Sequence, residues 1–171
     1  MIRRASSPDA RSIAEIGVLG WQAAYRGILP DEYLDRLSVD ARETAWQMVL
    51  EHETSGDTPA WVAQLDGLAI GFLHGGPPRD QDVALPAVEI YAIYVLPDHW
   101  RAGAGRALME TALFHWRGRG ATVFVLWVLD ANATGRSFYE ALGWLPDGTR
   151  QELEIGGLAT TEVRYRLVIA D

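Results

Sequence analysis

The run Val88-Glu89-Ile90-Tyr91-Ala92-Ile93-Tyr94-Val95-Leu96 is apolar on both of its alternating faces apart from Glu89. A half-exposed strand would alternate apolar with polar side chains, so this run describes a strand buried at the centre of a sheet. Pro97 ends it, because proline brings no N–H to a ladder. The neighbouring patterns supply the rest of a sheet and its covering helices. Residues 60–64 and 68–74 predict a hairpin around Asp66-Gly67, a pair suited to the positive φ angles of a tight turn. Residues 106–116 carry Leu108 and Ala112, then Met109, Leu113 and Trp116, at helical spacing, and Gly118 and Gly120 stop that helix. A second β-rich run covers 122–129, a short helix 134–142, and two closing strands, 151–155 and 161–169, flank Gly156-Gly157. The first third has the spacing of three short helices, with an aromatic-rich loop over 21–30; residues 75–86 read as an irregular connection.

With 171 residues, 49% of them hydrophobic, the chain suits one well-buried domain, taken here as residues 1–171. It contains no cysteine, which excludes disulfides, thiolate metal sites and cysteine nucleophiles. The N-terminus lacks the apolar core of a signal peptide and no apolar run has the length of a membrane span, so a cytoplasmic protein with no membrane partner is expected. Net charge is −8 and the basic residues are scattered, which argues against a nucleic-acid partner and tilts the expectation slightly toward an amine substrate. All 15 basic residues are arginine. No metal is expected, since His52, His74, His99 and His115 stand singly, and no GxSxG motif marks a serine hydrolase.

The segment from Tyr94 to Leu108 runs from the strand end through Trp100-Arg101-Ala102-Gly103-Ala104-Gly105-Arg106 into a helix. Glycines there let backbone approach a ligand closely, and a helix N-terminus offers unpaired N–H groups and partial positive charge to a phosphate. Arg101 and Arg106 flank the turn as possible charge partners. A dinucleotide fingerprint would need glycine where Leu108 stands, and a P-loop needs a lysine that this chain lacks.

These residues resemble the GNAT superfamily of N-acetyltransferases, which carries Gln or Arg, two residues, Gly, one residue, then Gly or Ala after its fourth strand. Gly103-Ala104-Gly105 matches the glycines, while Trp100 departs from the first position. The stretch from Asp130-Ala131-Asn132 through Phe138-Tyr139-Glu140-Ala141-Leu142-Gly143-Trp144 is similar to the family's strand-Asn-helix segment. The resemblance implies an α/β (α+β) fold: one domain with a mixed, mostly antiparallel central sheet of six to seven strands and helices on both faces. It implies acetyl-CoA as co-substrate, held by the backbone of Ile93, Tyr94 and Val95, by Trp100 to Arg106, and by Asn132, Arg136 and Tyr139. Homodimers are common in that family.

On a helix, residues seven apart differ in direction by only ~20°, so Asn132 and Tyr139 can face one cleft. In the family the asparagine reaches the pantetheine and the tyrosine sits near the thioester sulfur; Asn132 equally suits a helix N-cap, and Tyr139 equally suits core packing. Glu89, fourteen residues before Gly103, is either the general base some relatives place on this strand or a surface residue at a strand start. Along the strand, Glu89, Tyr91, Ile93 and Val95 are expected to share a face, which puts the carboxylate in line with the segment expected to bind the acetyl group. An alkylammonium of pKa ~10.4 must lose a proton before it attacks a thioester, giving Glu89 the role of base and Tyr139, at ~10 or lowered, that of acid. The acceptor expected is a primary amine of a small molecule or peptide, with Trp21, Tyr25, Arg26 and Tyr91 as candidate contacts. A sensor that binds acyl-CoA without turnover is the alternative.

Overall fold

The computed structural model describes residues 1–52, 57–84 and 86–169. Leu85 of the predicted irregular connection, and the last two residues of the chain, lie outside them. The elements are β1 (Ile2–Arg4), α1 (Ala10–Tyr25), α2 (Asp31–Asp35), α3 (Val39–His52), β2 (Ala60–Leu65), β3 (Leu68–Gly76), β4 (Ala87–Val95), α4 (Ala104–Arg117), β5 (Val123–Leu129), α5 (Ala133–Glu140), β6 (Leu145–Ile155) and β7 (Leu158–Val168). The strands form one seven-stranded sheet in the order β1-β2-β3-β4-β5-β7-β6. Every neighbouring pair is antiparallel except β4 with β5, which the helix α4 links as a crossover. This is the α/β architecture expected, with helices on both faces.

Each face has its own core, as a sheet covered on both sides requires. Under α4 lie Leu73, Val88, Ile90, Leu108, Met109, Ala112, Trp116, Phe124, Leu126 and Tyr165. On the other face Ile13 and Ile16 of α1 pack on Val62 and Phe72, and Tyr25, Leu29 and Leu34 pack on Leu129. α1 lies so close to β4 that a Cβ at Gly20 would come within 2.8 Å of the Tyr94 ring, so only glycine admits this approach.

Asp66 (φ 50°) and Gly67 (φ 83°) turn the β2–β3 hairpin as predicted. One element was not anticipated, and another is longer than predicted. β1 is too short to show alternation; it is held by pairing to β2 and by Arg3, whose guanidinium spans both oxygens of Asp9 at 2.7 and 2.8 Å. β6 starts at Leu145, before the predicted 151, because the ladder passes Pro146 and Gly148 through a bulge between Pro146 and Arg150.

A second irregularity decides where the central strand aims its side chains. His74 pairs with Ala92 and Gly75 with Ile90, leaving Tyr91 as an extra residue on β4. A bulge of this kind breaks the period of two. Ile93 and Val95 therefore pack with Val88 and Ile90 under α4, while Ala92 and Tyr94 lie on the α1 side and Tyr91 meets His74, which contacts Trp46 of α3. The expectation that Glu89 shares a face with Ile93 and Val95 is thus corrected: Glu89 and Tyr91 belong to the α1 and α3 side.

Candidate active site

The parallel pairing of β4 with β5 runs only from Ala87 with Val123 to Ile90 with Leu126. Beyond it β4 keeps β3 alone as partner up to Val95, and β5 keeps β7 alone up to Leu129. The two strands part into a wedge. In an antiparallel pair alternate residues turn their N–H and C=O away from the partner, so the 91–95 backbone presents unpaired groups to this opening.

Asn132 and Tyr139 stand on the β5 side of the wedge. Asn132 caps α5, its Oδ1 accepting the Gly135 N–H at 2.9 Å, and is 8% exposed. Tyr139 is half-buried on the same helix, with ring centroids 6.2 Å from Tyr165 and 6.3 Å from Trp144. Among the described residues its hydroxyl has no hydrogen-bond partner. Across the wedge, Tyr94 meets Tyr25 of α1, their hydroxyls 3.4 Å apart. Burial, and secondarily the proximity of Tyr25, push the Tyr139 phenol well above its ordinary pKa; burial likewise pushes Tyr94 well above its own and raises Tyr25. A lowered Tyr139 was considered from the sequence; the structure gives the opposite direction, because burial disfavours the phenolate and among the described residues no cation is paired with the ring.

At the open end of β4 the chain crosses Trp100 and Arg101 to Gly103, which caps α4 with φ 88°. Glycine adopts that left-handed angle without the penalty a Cβ brings. The first-turn amides of α4 have no carbonyl partner within the helix, as at any helix N-terminus. Arg101 is exposed, and among the described residues no carboxylate pairs with it. Arg106 is mostly exposed, 3.6 Å from Glu110. The Trp100 indole is spent locally, donating to the Val95 carbonyl at 2.7 Å. That bond fastens the turn to the strand end and removes the side chain from any direct role toward a phosphate.

Glu89 is fully buried and not, as one sequence alternative had it, a surface residue. Its Oε2 accepts the Arg79 backbone N–H at 2.8 Å, and its Oε1 accepts Arg79 Nε at 3.0 Å and the terminal guanidinium nitrogen. Arg79 belongs to the loop over 77–84, which is itself clamped to the sheet. Arg164 of β7, 2% exposed, bonds Asp80 at 3.0 Å, Asp82 at 2.6 and 2.7 Å, Asp147 at 2.7 Å and Thr149 at 2.9 Å. Trp127 of β5 also donates to Asp80, at 2.9 Å. Neither Arg79 nor this cluster was singled out from the sequence. A signal existed for the first: an acid inside an apolar central strand is almost never left unpaired.

The remaining expected contacts fall in different places. Tyr25 is buried at the wedge, as described, and Trp21 packs edge-on against it at 4.9 Å. Arg26 is turned outward to Asp31 and Asp35. Tyr91 lies beside Glu89 under the Arg79 guanidinium, with its hydroxyl bonded to the Pro77 carbonyl at 2.5 Å. Arg136 is committed to Asp130 at 2.6 Å and the Tyr165 hydroxyl at 3.1 Å, which makes it a strap between α5 and the sheet. A cavity of about 440 Å³ opens between Ile28, Leu129, Ala131, Arg136 and Thr160. Among the described residues no group of His, Asp and Glu is arranged to hold a metal, and no helix is long and apolar enough to cross a membrane.

The family described as Acetyltransferase (GNAT) family matches residues 18–144, which include β4, the glycine turn and α5. The uncharacterized N-acetyltransferase YuaI of Bacillus subtilis is 31% identical over 164 residues, covering 95% of this chain and 89% of its own. The PaiA N-acetyltransferase of Thermoplasma acidophilum, solved with coenzyme A, superposes with a TM-score of 0.79 at 20% identity, covering 98% of each chain. YncA of Salmonella typhimurium, solved with acetyl-CoA, gives 0.73 at 23% identity, over 100% of this chain and 94% of its own.

Proposed function

The chain belongs to the acetyltransferase (GNAT) family, and from that membership we propose that it carries an acetyl group directly from acetyl-CoA to a primary amine of a small molecule or peptide, with the β4–β5 wedge as the place of transfer. The parting of the two strands after Ile90 and Leu126 carries this reading, because it leaves strand backbone unpaired between a glycine-capped helix and the Asn132–Tyr139 pair. When bound, acetyl-CoA supplies the thioester; the chain's own residues bind, orient and handle protons. The α4 first-turn amides and Arg101 receive the pyrophosphate, for the reasons a helix N-terminus and an unpaired cation suit an anion. N–H groups of the 93–95 segment polarise the thioester carbonyl, where charge develops during attack.

Tyr139 donates a hydrogen bond to the departing sulfur. Its raised pKa keeps it protonated at neutral pH, and lies too far above a thiol's ~8.5 for complete proton transfer to be downhill. The stabilisation therefore resides in the hydrogen bond. The acceptor ammonium must give up its proton, and Glu89 takes it once Arg79 moves off its Oε1. The reading places this reaction in the cytoplasm. Release of CoA thiol from acetyl-CoA, screened over polyamines, amino acids and peptide N-termini, tests the reading. Turnover with one amine class supports it, and acetyl-CoA binding without turnover on any amine would favour a sensor.

The glycine turn yields a separate prediction. Gly103→Val forces a β-branched residue to φ 88°, where the left-handed penalty is about 1–2 kcal/mol. If that strain falls on the bound conformation, the Kd for acetyl-CoA rises by roughly 5–30-fold. Titration calorimetry checks it; an unchanged Kd would separate the turn from cofactor binding.

A further inference from the structure

Glu89 lies buried beneath the Arg79 side chain. The carboxylate is 0% exposed, whereas the Arg79 side chain that covers it is 67% exposed. The two oxygens are held differently. Oε2 accepts a backbone N–H, which stays in place as long as the loop does, and among the described residues Oε1 accepts only from the Arg79 side chain. The loop itself is pinned at the next residue, Asp80, by Arg164 and Trp127, and again at Asp82 by Arg164. The guanidinium can thus swing outward without its backbone following. What it leaves is a carboxylate oxygen beside an aromatic face, since the Arg79 guanidinium carbon lies 5.0 Å above the Tyr91 ring. A carboxylate with an adjoining aromatic face is a site for an organic cation.

We propose that Glu89 and Tyr91 form a cation subsite which Arg79 fills from within the chain, and that the acceptor's alkylammonium group binds there by displacing the Arg79 side chain. This rests on the reading of Glu89 as the proton acceptor, and it adds the chemical class of the acceptor and a residue that sets its specificity. Arg79 acts as an internal competitor: uncharged acceptors have no means to displace it, and cationic ones do. Arg164 acts at one remove, as a positioning residue that keeps the loop backbone fixed while the side chain exchanges.

The test is thermal unfolding of the full chain, wild type against Arg79→Ala and Arg79→Ala/Glu89→Gln. Ethylammonium chloride is added at tens of millimolar, with sodium chloride as ionic-strength control. Arg79→Ala should be stabilised by roughly 3–6 °C at about ten times Kd, the double variant should not respond, and wild type should respond much less. Equal responses of the single and double variants, or a wild-type response as large as that of Arg79→Ala, would overturn the subsite. If Arg79→Ala does not fold, Arg79→Gln, which keeps most of the side-chain volume, takes its place on the same criteria. Parallel samples with acetyl-CoA keep the two claims apart. Loss of acetyl-CoA stabilisation in every sample would count against the transferase reading while leaving the organic-cation response interpretable.

Discussion

Tyr139→Phe is expected to lower kcat by roughly 10²–10³-fold, the range lost with one hydrogen-bond donor aimed at developing charge, with little change in the KM for acetyl-CoA. The split follows from where the hydroxyl sits. The ring packs near Trp144 and Tyr165, and phenylalanine preserves that packing. The hydroxyl has no protein partner among the described residues, so its removal strands no buried donor or acceptor. An interaction made only as sulfur departs affects kcat and kcat/KM together. Steady-state kinetics with the amine found by the thiol-release screen decides it. Wild-type kcat in the variant would remove Tyr139 from the chemistry, and a lost near-ultraviolet dichroism signal would reveal a packing effect instead.

The second large effect is on stability. Arg164→Met should destabilise the fold by about 3–5 kcal/mol, because methionine fills similar space but leaves Asp80, Asp82 and Asp147 without the cation that justifies their proximity. At about 2–4 °C per kcal/mol for a chain of this size, the midpoint falls by roughly 6–20 °C. The acid dependence gives a check independent of packing. The Asp82 carboxyl is held below its usual pKa chiefly by its bond to Arg164. Burial would raise Asp147, but the Thr149 N–H, Arg164 and the Thr149 side chain outweigh it and the net shift is downward. Groups with depressed folded pKa values add stability that is complete above the unfolded value of ~3.9 and is lost as pH falls through the folded value. Wild type should therefore lose stability on going from about pH 5 to pH 3, and Arg164→Met should lose less over that window. An equal slope in both proteins would mean that Arg164 is not what depresses these carboxyls.

Most of the fold was legible because its signals are local. A turn such as Asp66-Gly67 carries its own geometry, and the apolar runs that became β4 and β5 are too continuous to be anything but buried strands. The helix that carries Asn132 as its cap and Tyr139 near its end was legible for the same reason, from its spacing and the stop at Gly143. The face assignments along β4 were not, because the extra residue at Tyr91 is a property of pairing with β3 that leaves no mark on β4 itself. Arg164 was missed because its partners are distant in the chain: it lies 84 residues from Asp80. Such long-range ion pairs depend on topology and cannot be read from periodicity. Trp100 and Arg136, expected at the cofactor, illustrate the converse: flanking a motif does not fix a side chain's partners, and both are committed to the protein itself.

Cofactor binding at the wedge is tested most directly by thermal unfolding with and without acetyl-CoA, using NAD and ATP as controls. Acetyl-CoA at 100 times Kd adds ~2.7 kcal/mol, which raises the midpoint by roughly 5–11 °C. The prediction is a rise of that size with acetyl-CoA and with neither control. No rise at saturating acetyl-CoA would contradict it, and the opening between β4 and β5 would then be a feature of the fold without its cofactor.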